Sequence, residues 1–322
     1  VSLVLLATSH RVAPGLLSWR AWRLLHDADR VLTGADDHPQ LPYLAEAGIA
    51  VEVVSPDPRA LLDAAGEGSV VWLGSPEGDE ELLRSVGTLA VAGAEQAPEI
   101  EVLHGSYDLP GARLLDLVHV MDVLRRDCPW DRKQTHESLA PYLIEESYEL
   151  VDTIEDGDLA ALREELGDVL MQVAFHAAVA SERSAEDGGF TIDDVAEGIV
   201  TKLVRRHPHV FAGLEVSGAD EVVSNWEKIK AAERAAKKDD HSIFDGVAMS
   251  QPALSLAAKV QRRAGRIGVP SSVEEVLPEG LGTRLFALVR EAQAQGLDPE
   301  AELRTAARAY LSAARAWESG QD

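Results

Sequence analysis

The spacing of apolar residues along this chain changes near residue 110. Up to about residue 105, short runs rich in Val and Leu alternate with stretches of helical period. The runs at 3–6, 30–32, 50–54 and 69–73 predict strands, and the stretches at 16–25, 42–47, 58–65 and 79–86 predict helices. Strand and helix in alternation point to a small parallel α/β layer. The segment 93–110, marked by Gln96-Ala97-Pro98-Glu99 and Tyr107-Asp108-Leu109-Pro110-Gly111, reads as a linker.

Beyond it the period is helical almost throughout. Leu114, Leu115, Val118, Met121, Val123 and Leu124 mark an amphipathic helix that stops before Cys128-Pro129, because proline disfavours helix at the residue before it. Further helices are predicted over 138–155 and 159–181. A fourth starts at Asp193, shows Val195, Ile199 and Leu203 on its apolar face and ends before Pro208; a polar helix follows over 220–238. Lys237-Lys238-Asp239-Asp240 reads as a hinge. From Pro252 a shorter helical section echoes the earlier one. Glu279-Gly280-Leu281-Gly282-Thr283 stands against Glu164-Glu165-Leu166-Gly167-Asp168, with Gly280 and Thr283 in place of the acids. The predicted fold class is mainly α. A small α/β domain over 1–105 precedes a helical bundle over 106–240, and a degenerate helical repeat over 241–322 follows.

Composition narrows the partners. The chain has 322 residues, 55 acidic against 30 basic, and a net charge of −25. Such a chain repels nucleic acid and anionic membranes in general, so neither is an expected partner. No apolar run approaches the length of a membrane-spanning helix. The apolar start, Val1 to Ala7, lacks a basic flank and a small-residue cleavage pattern, and reads as a strand rather than a signal peptide. The one cysteine, Cys128, permits no intramolecular disulfide, which fits a cytoplasmic location. An anionic substrate would need a local cluster of cations or a metal to overcome the overall field.

The acids themselves are patterned. Glu145 and Glu149 are four residues apart and Glu146 and Glu149 three, so they lie toward one side of their helix, and Asp152 continues the line. Glu165 and Asp168 share a face of the next. Leu143, Ile144, Val151 and Ile154 are expected to pack the other side of the first of these helices. Leu166, Val169, Leu170 and Val173 do the same for the second. The turn at Asp156-Gly157-Asp158 makes the two helices antiparallel neighbours whose acidic faces converge. Five carboxylates in one small volume require a counter-charge. Hard oxygen ligands without His or Cys suit Mg²⁺, with Mn²⁺ as an alternative, rather than zinc. A metal held so neutralises a triphosphate, while a carboxylate serves as base toward water. The other reading is a non-catalytic dimerisation or adaptor protein whose acids are a solvated helix face. A di-iron bundle requires two Glu-x-x-His pairs, and the one such pair, Glu101 and His104, falls in the linker.

Five stretches together carry a resemblance. They are Cys128-Pro-Trp-Asp131 with Gln134-Thr135-His136, Leu143-Ile-Glu-Glu-Ser-Tyr-Glu149, Leu162-Arg-Glu-Glu-Leu-Gly-Asp168, Lys202-Leu-Val-Arg-Arg-His-Pro-His-Val-Phe211 and Trp226-Glu-Lys-Ile-Lys230. With them, residues 112–235 resemble the MazG family of nucleotide pyrophosphohydrolases. The resemblance implies an all-α, dimeric bundle that hydrolyses nucleoside triphosphates to monophosphate and pyrophosphate, with a role in cleaning the nucleotide pool. It implies that Glu145, Glu146, Glu149, Glu165 and Asp168 bind the metal, with Glu146 or Glu149 as the base. Lys202, Arg205 and Arg206 would face the triphosphate and Lys228 the substrate. Trp130 and Trp226 would stack on base or sugar, or else serve as core or dimer-contact aromatics. His207-Pro208-His209 reads as a rigid turn or as further metal ligands. The last 75 residues resemble a second MazG repeat that has lost its acids, so no metal is expected there. Residues 1–90 resemble a tetrapyrrole methylase-like domain. Ala7-Thr8-Ser9-His10 replaces the glycine-rich turn of such methylases, and no S-adenosylmethionine is expected; a methyltransferase activity is the rival reading of this layer.

Overall fold

Successive residues of the first strand leave it on opposite sides, and each side is covered by its own pair of helices. In a computed structural model of the chain, residues 2–93, 97–236 and 242–320 are described. They fall into two compact units, 1–202 and 203–322. The first unit opens with β1 (Ser2–Ala7), α1 (Trp19–Asp27), β2 (Arg30–Thr33), α2 (Leu41–Glu46), β3 (Val51–Val53), α3 (Pro58–Glu67), β4 (Ser69–Leu73), α4 (Glu80–Ala92) and β5 (Glu99–His104). The strands form one parallel sheet in the order β3-β2-β4-β1-β5. Val4 and Leu6 pack with Leu25 of α1 and Leu44 of α2, whereas Leu3 and Leu5 pack with Leu61 of α3 and Val86 of α4. Helix α1 begins three residues later than its apolar period suggests, because Ser18 caps it, accepting a bond from the Ala21 N–H at 3.2 Å.

The segment expected to be a linker contains β5, which runs parallel to β1 with Leu3 level with Ile100 and Leu5 level with Val102. Its acids Glu99 and Glu101 and its exposed Val102 mark an edge strand, of which Leu103 is the one residue in the buried core. An edge strand buries too little for the apolar period to register. Val1, Gln96 and the predicted hinge at Lys237-Lys238-Asp239-Asp240 lie outside the described residues.

The unit continues with α5 (Arg113–Asp127), α6 (His136–Asp156), α7 (Leu159–Ser181) and α8 (Ile192–Arg206), whose last turn enters the second unit. Met121 of α5, Leu139 of α6 and Phe175 of α7 form a small shared core. The loop after β1 is tied to α5. Arg11 reaches Asp108 at 2.8 Å and both oxygens of Asp116 at 2.9 and 3.1 Å, and His10 lies 2.8 Å from the same carboxylate. Asp116 is thereby held at about 2, chiefly by Arg11 and then by Arg113.

The apolar sides of α6 and α7 do not pack as expected. Ile144, Ile154 and Leu166 are 54%, 58% and 52% exposed, and Leu170 and Val173 are exposed as well. Leu143, Val151 and Val169 are half-buried. The two helices meet through the side that carries Glu146, Glu165 and Asp168, and the apolar residues Ile144, Ile154 and Leu166 stay exposed among the described residues. The second unit contains α9 (Pro208–Phe211), α10 (Ala219–Ala236), α11 (Ala253–Arg266), α12 (Leu281–Ala294) and α13 (Pro299–Ser319). Among the described residues no helix is long and apolar enough to cross a membrane.

Candidate metal centre

The acidic residues are positioned by a helical hairpin with defined ends. Thr135 caps α6: its hydroxyl accepts from the Ser138 N–H at 3.3 Å, and the Ser138 hydroxyl accepts from the Thr135 N–H at 2.9 Å. Gly157 ends the helix in the left-handed region, φ 71°, where a side chain would be strained. Asp158 then caps α7, accepting from the N–H groups of Ala160 and Ala161 at 2.9 and 3.1 Å. A two-residue turn leaves α7 no course but back along α6.

Across that hairpin Glu146, Glu165 and Asp168 each place one carboxylate oxygen so that all three lie within 4.8 Å of one another. All three side chains are half-buried. The Glu165 Oε2 is buried and has no hydrogen-bond partner among the described residues. Burial, followed by the charges of Asp168, Glu149, Glu165 and Glu145, pushes the Glu146 carboxyl above the usual carboxylate range. Burial pushes Glu165 up as well, followed by Glu149, Asp168 and Glu164. Uncompensated negative charge and an orphaned oxygen are what a site for a hard cation presents before it is filled. Three carboxylates fit such an ion.

The other acids stand differently. Glu149 is exposed on α6, outside the three-residue group, although its charge is felt by both Glu146 and Glu165. Glu145 is exposed, and its charge is felt by Glu146. Asp152 is exposed, farther along the helix. On the side of α7 that carries Glu165 and Asp168, a polar stripe continues through Gln172 and His176, which sequence reasoning did not single out. The Gln172 Oε1 and His176 Nε2 are buried without a partner among the described residues. The His176 ring stacks on His136 of α6, with the two Nδ1 atoms 2.8 Å apart, and burial lowers its pKa. The signal was available: Gln172 and His176 follow Glu165 and Asp168 at helical spacing.

Trp130 is 52% exposed and meets Tyr142 and Phe175 edge-on, with ring centres 6.1 and 6.5 Å away. Its loop is held from below by Arg125, which pairs with Glu182, donates to the carbonyls of Asp131 and Gln134, and lies over Phe175. Lys202 is exposed on α8. In the second unit Arg205 and Arg206 both pair with Glu233 of α10, at 2.8 and 2.7 Å, and Glu233 is held at about 2, chiefly by Arg206. The Trp226 ring carries Lys230, whose Nζ is 3.4 Å from its centre, and Arg206 at 5.9 Å. Lys228 instead contacts Asn225 at 3.5 Å. Lys230 is thus the lysine on the Trp226 face, one helical turn along from that tryptophan. The His207 ring faces the Leu203 carbonyl at 2.7 Å, at the start of the four-residue α9. The C-terminal echo forms no second group of three metal-ligating side chains among the described residues.

Residues 134–211 match the model of the MazG nucleotide pyrophosphohydrolase domain. A nucleoside triphosphate pyrophosphohydrolase of Mycolicibacterium smegmatis is 39% identical over 291 residues, covering 90% of this chain and 80% of that protein. The nucleoside triphosphate pyrophosphohydrolase/pyrophosphatase MazG of Thermotoga maritima is 41% identical, covering 61% of this chain and 82% of its own. An uncharacterised 26.1 kDa protein of Streptomyces cacaoi is 49% identical, over 75% of this chain and 98% of its own. With the matched domain spanning α6, α7 and α8, and relatives of this identity along most of their length, the chain belongs to the MazG family of nucleoside triphosphate pyrophosphohydrolases.

Proposed function

We propose that this chain hydrolyses nucleoside triphosphates to the monophosphate and pyrophosphate in a Mg²⁺-dependent reaction, Mn²⁺ being able to substitute, as part of cytoplasmic cleaning of the nucleotide pool. The observation that carries the reading is the buried, partnerless Glu165 oxygen within reach of Glu146 and Asp168. A solvated acidic face on an adaptor would leave that oxygen in water.

Glu145, Glu146, Glu149, Glu165 and Asp168 are the residues assigned to hold the metal, with Glu146, Glu165 and Asp168 at its centre. A divalent ion bound there supplies charge neutralisation of the phosphate oxygens. Glu149 or Glu146 takes a proton from the attacking water; the new oxygen–phosphorus bond forms at the α-phosphorus, and the bond to the bridging oxygen breaks to release pyrophosphate. Lys202, Arg205, Arg206 and Lys228 are assigned to the substrate, together with Lys230. Trp130, exposed above its Arg125 support, is assigned to the base or sugar, as is Trp226. The catalytic domain is 106–240, flanked by the α/β domain 1–105 and the degenerate repeat 241–322.

The exposed apolar face of α6 and α7 is assigned to a homodimer contact, which would remove Ile144, Ile154 and Leu166 from water. The test is pyrophosphate release from each common nucleoside triphosphate by the full chain with Mg²⁺, with Mn²⁺ and with chelator. Release that persists in chelator, or release of orthophosphate instead, would overturn the proposal.

A further inference from the structure

Helix α1 carries an aromatic and cationic face that the metal centre does not use. Trp19, Trp22, Arg23 and His26 follow one another at intervals of three, one and three residues, which sets them along one side of the helix. Ala21 and Leu25 make its buried side, packed with Val4 and Leu6 of β1. With Ala47, at the end of α2, the four residues enclose an open cleft of about 490 Å³. Trp22 and Ala47 are half-buried against the core of this face and form a fixed floor. Trp19 stands at the rim, 79% exposed. Sites for small ligands usually measure about 300–1,000 Å³.

The chemistry of the cleft selects its ligand. No carboxylate lines it, in a chain with a net charge of −25. Arg20 and Arg30, to either side in sequence, are paired with Glu101 and Glu52. Arg23 and His26 make no ion pair or side-chain hydrogen bond among the described residues, and Asp27, one turn beyond Arg23, does not pair with it. A free guanidinium beside indole faces suits a ligand that is planar at one end and anionic at the other. A lone inorganic anion has no use for two indoles, and an apolar ligand has none for a free guanidinium. We propose that this cleft binds a nucleoside monophosphate, its base against the indoles of Trp19 and Trp22 and its phosphate on Arg23, with His26 as a second donor. The ligand is a free nucleotide rather than the end of a strand, because so acidic a chain repels a polyanion. Binding here depends on these four side chains and not on the reaction proposed for the metal centre.

Calorimetric titration of the full chain with each common nucleoside monophosphate, in chelator, tests this, since no metal then bridges a phosphate to the carboxylates. Saturable binding is expected, with the matching nucleoside and orthophosphate each binding about tenfold or more weakly than the monophosphate. Trp19→Ala and Arg23→Ala change exposed side chains and leave the core intact. Each is expected to weaken binding about fivefold or more, the share of one base stack or one charged contact. Asp168→Asn is expected to leave it unchanged, and a short single strand to bind no more tightly than the monophosphate. The proposal is overturned by an absence of saturable binding, or by binding indifferent to Trp19→Ala and Arg23→Ala. Binding lost in Asp168→Asn would put the nucleotide at the metal centre instead. A nucleoside that binds as tightly as its monophosphate would remove the phosphate contact, and a tighter single strand would remove the free nucleotide; either result also sinks the idea.

Discussion

Glu146 of α6 and Glu165 of α7 meet between the two arms of the helical hairpin, and Asp168 completes a set of oxygens lying within 4.8 Å of one another. Of these oxygens the Glu165 Oε2 is buried and has no hydrogen-bond partner among the described residues.

That arrangement burdens the metal-free protein. A carboxyl whose folded pKa lies above its unfolded value contributes stability that is full below the unfolded value of 4.5 and lost as pH rises through the folded value. At neutral pH the charged form of Glu146 is therefore destabilising until a cation binds. Glu146→Gln is expected to raise the melting temperature in chelator at neutral pH, and Mg²⁺ to stabilise the wild type but not the variant. Thermal melts with chelator and with Mg²⁺ check this; a variant that melts below wild type in chelator would contradict it.

The carboxylates should not matter equally. Glu165→Gln and Asp168→Asn are expected to lower kcat/KM by about a hundredfold to a thousandfold, the range for losing one electrostatic stabiliser of a transition state. Glu145→Gln, at an exposed position outside the three-residue group, is expected to lower it less. Pyrophosphate release at saturating Mg²⁺ ranks the three.

Lys230 rather than Lys228 lies against Trp226, its Nζ 3.4 Å from the ring centre. Lys230→Ala is expected to raise KM by about tenfold, roughly 1.4 kcal/mol of lost substrate binding, with a smaller change in Lys228→Ala. Equal effects would return both lysines to the same standing.

Asp116 reports how the sheet is joined to α5. Its carboxyl is held at about 2, below its ordinary 3.8, so its stabilising effect is present above the higher value and lost as pH falls through the lower one. Asp116→Asn is expected to lower the urea midpoint near neutral pH. The gap from wild type should close as pH falls from about 4 to about 2. A gap independent of pH would mean that the ion pairs with Arg11 and Arg113 are not its source.

Leu166 lies on the exposed apolar side of α7. Leu166→Glu is expected to shift the proposed homodimer toward monomer in light scattering, because a charge cannot be buried there without a partner. An unchanged mass would exclude this face from the dimer contact.

Much of this was legible along the chain. The hairpin follows from local chemistry, Thr135 and Ser138 at one end and Gly157 and Asp158 at its turn. The helical period groups Glu146 with Glu149 and Glu165 with Asp168. Strands β1, β2 and β4 also announce themselves, because their inner residues are buried on both faces and form short apolar runs, Leu3 to Leu6, Val31 with Leu32, and Val70 to Leu73. β5 does not, since half of it faces water at the sheet edge. Nor does the chain's pattern say that Arg205 and Arg206 pair with Glu233, across 28 and 27 residues.

By itself, then, the sequence determined the helices, their caps, the antiparallel hairpin and the acids it carries. Those depend on backbone preference and on neighbours within a few residues. Only the tertiary structure decided which acids converge. Each residue turns the helix by about 100°, so the rotation of α6 about its own axis separates Glu146, facing α7, from Glu145, facing solvent. That rotation is set by how Leu139, Met121 and Phe175 pack, a contact among three helices. The same packing leaves Ile144, Ile154 and Leu166 uncovered, although their spacing alone marked them as core.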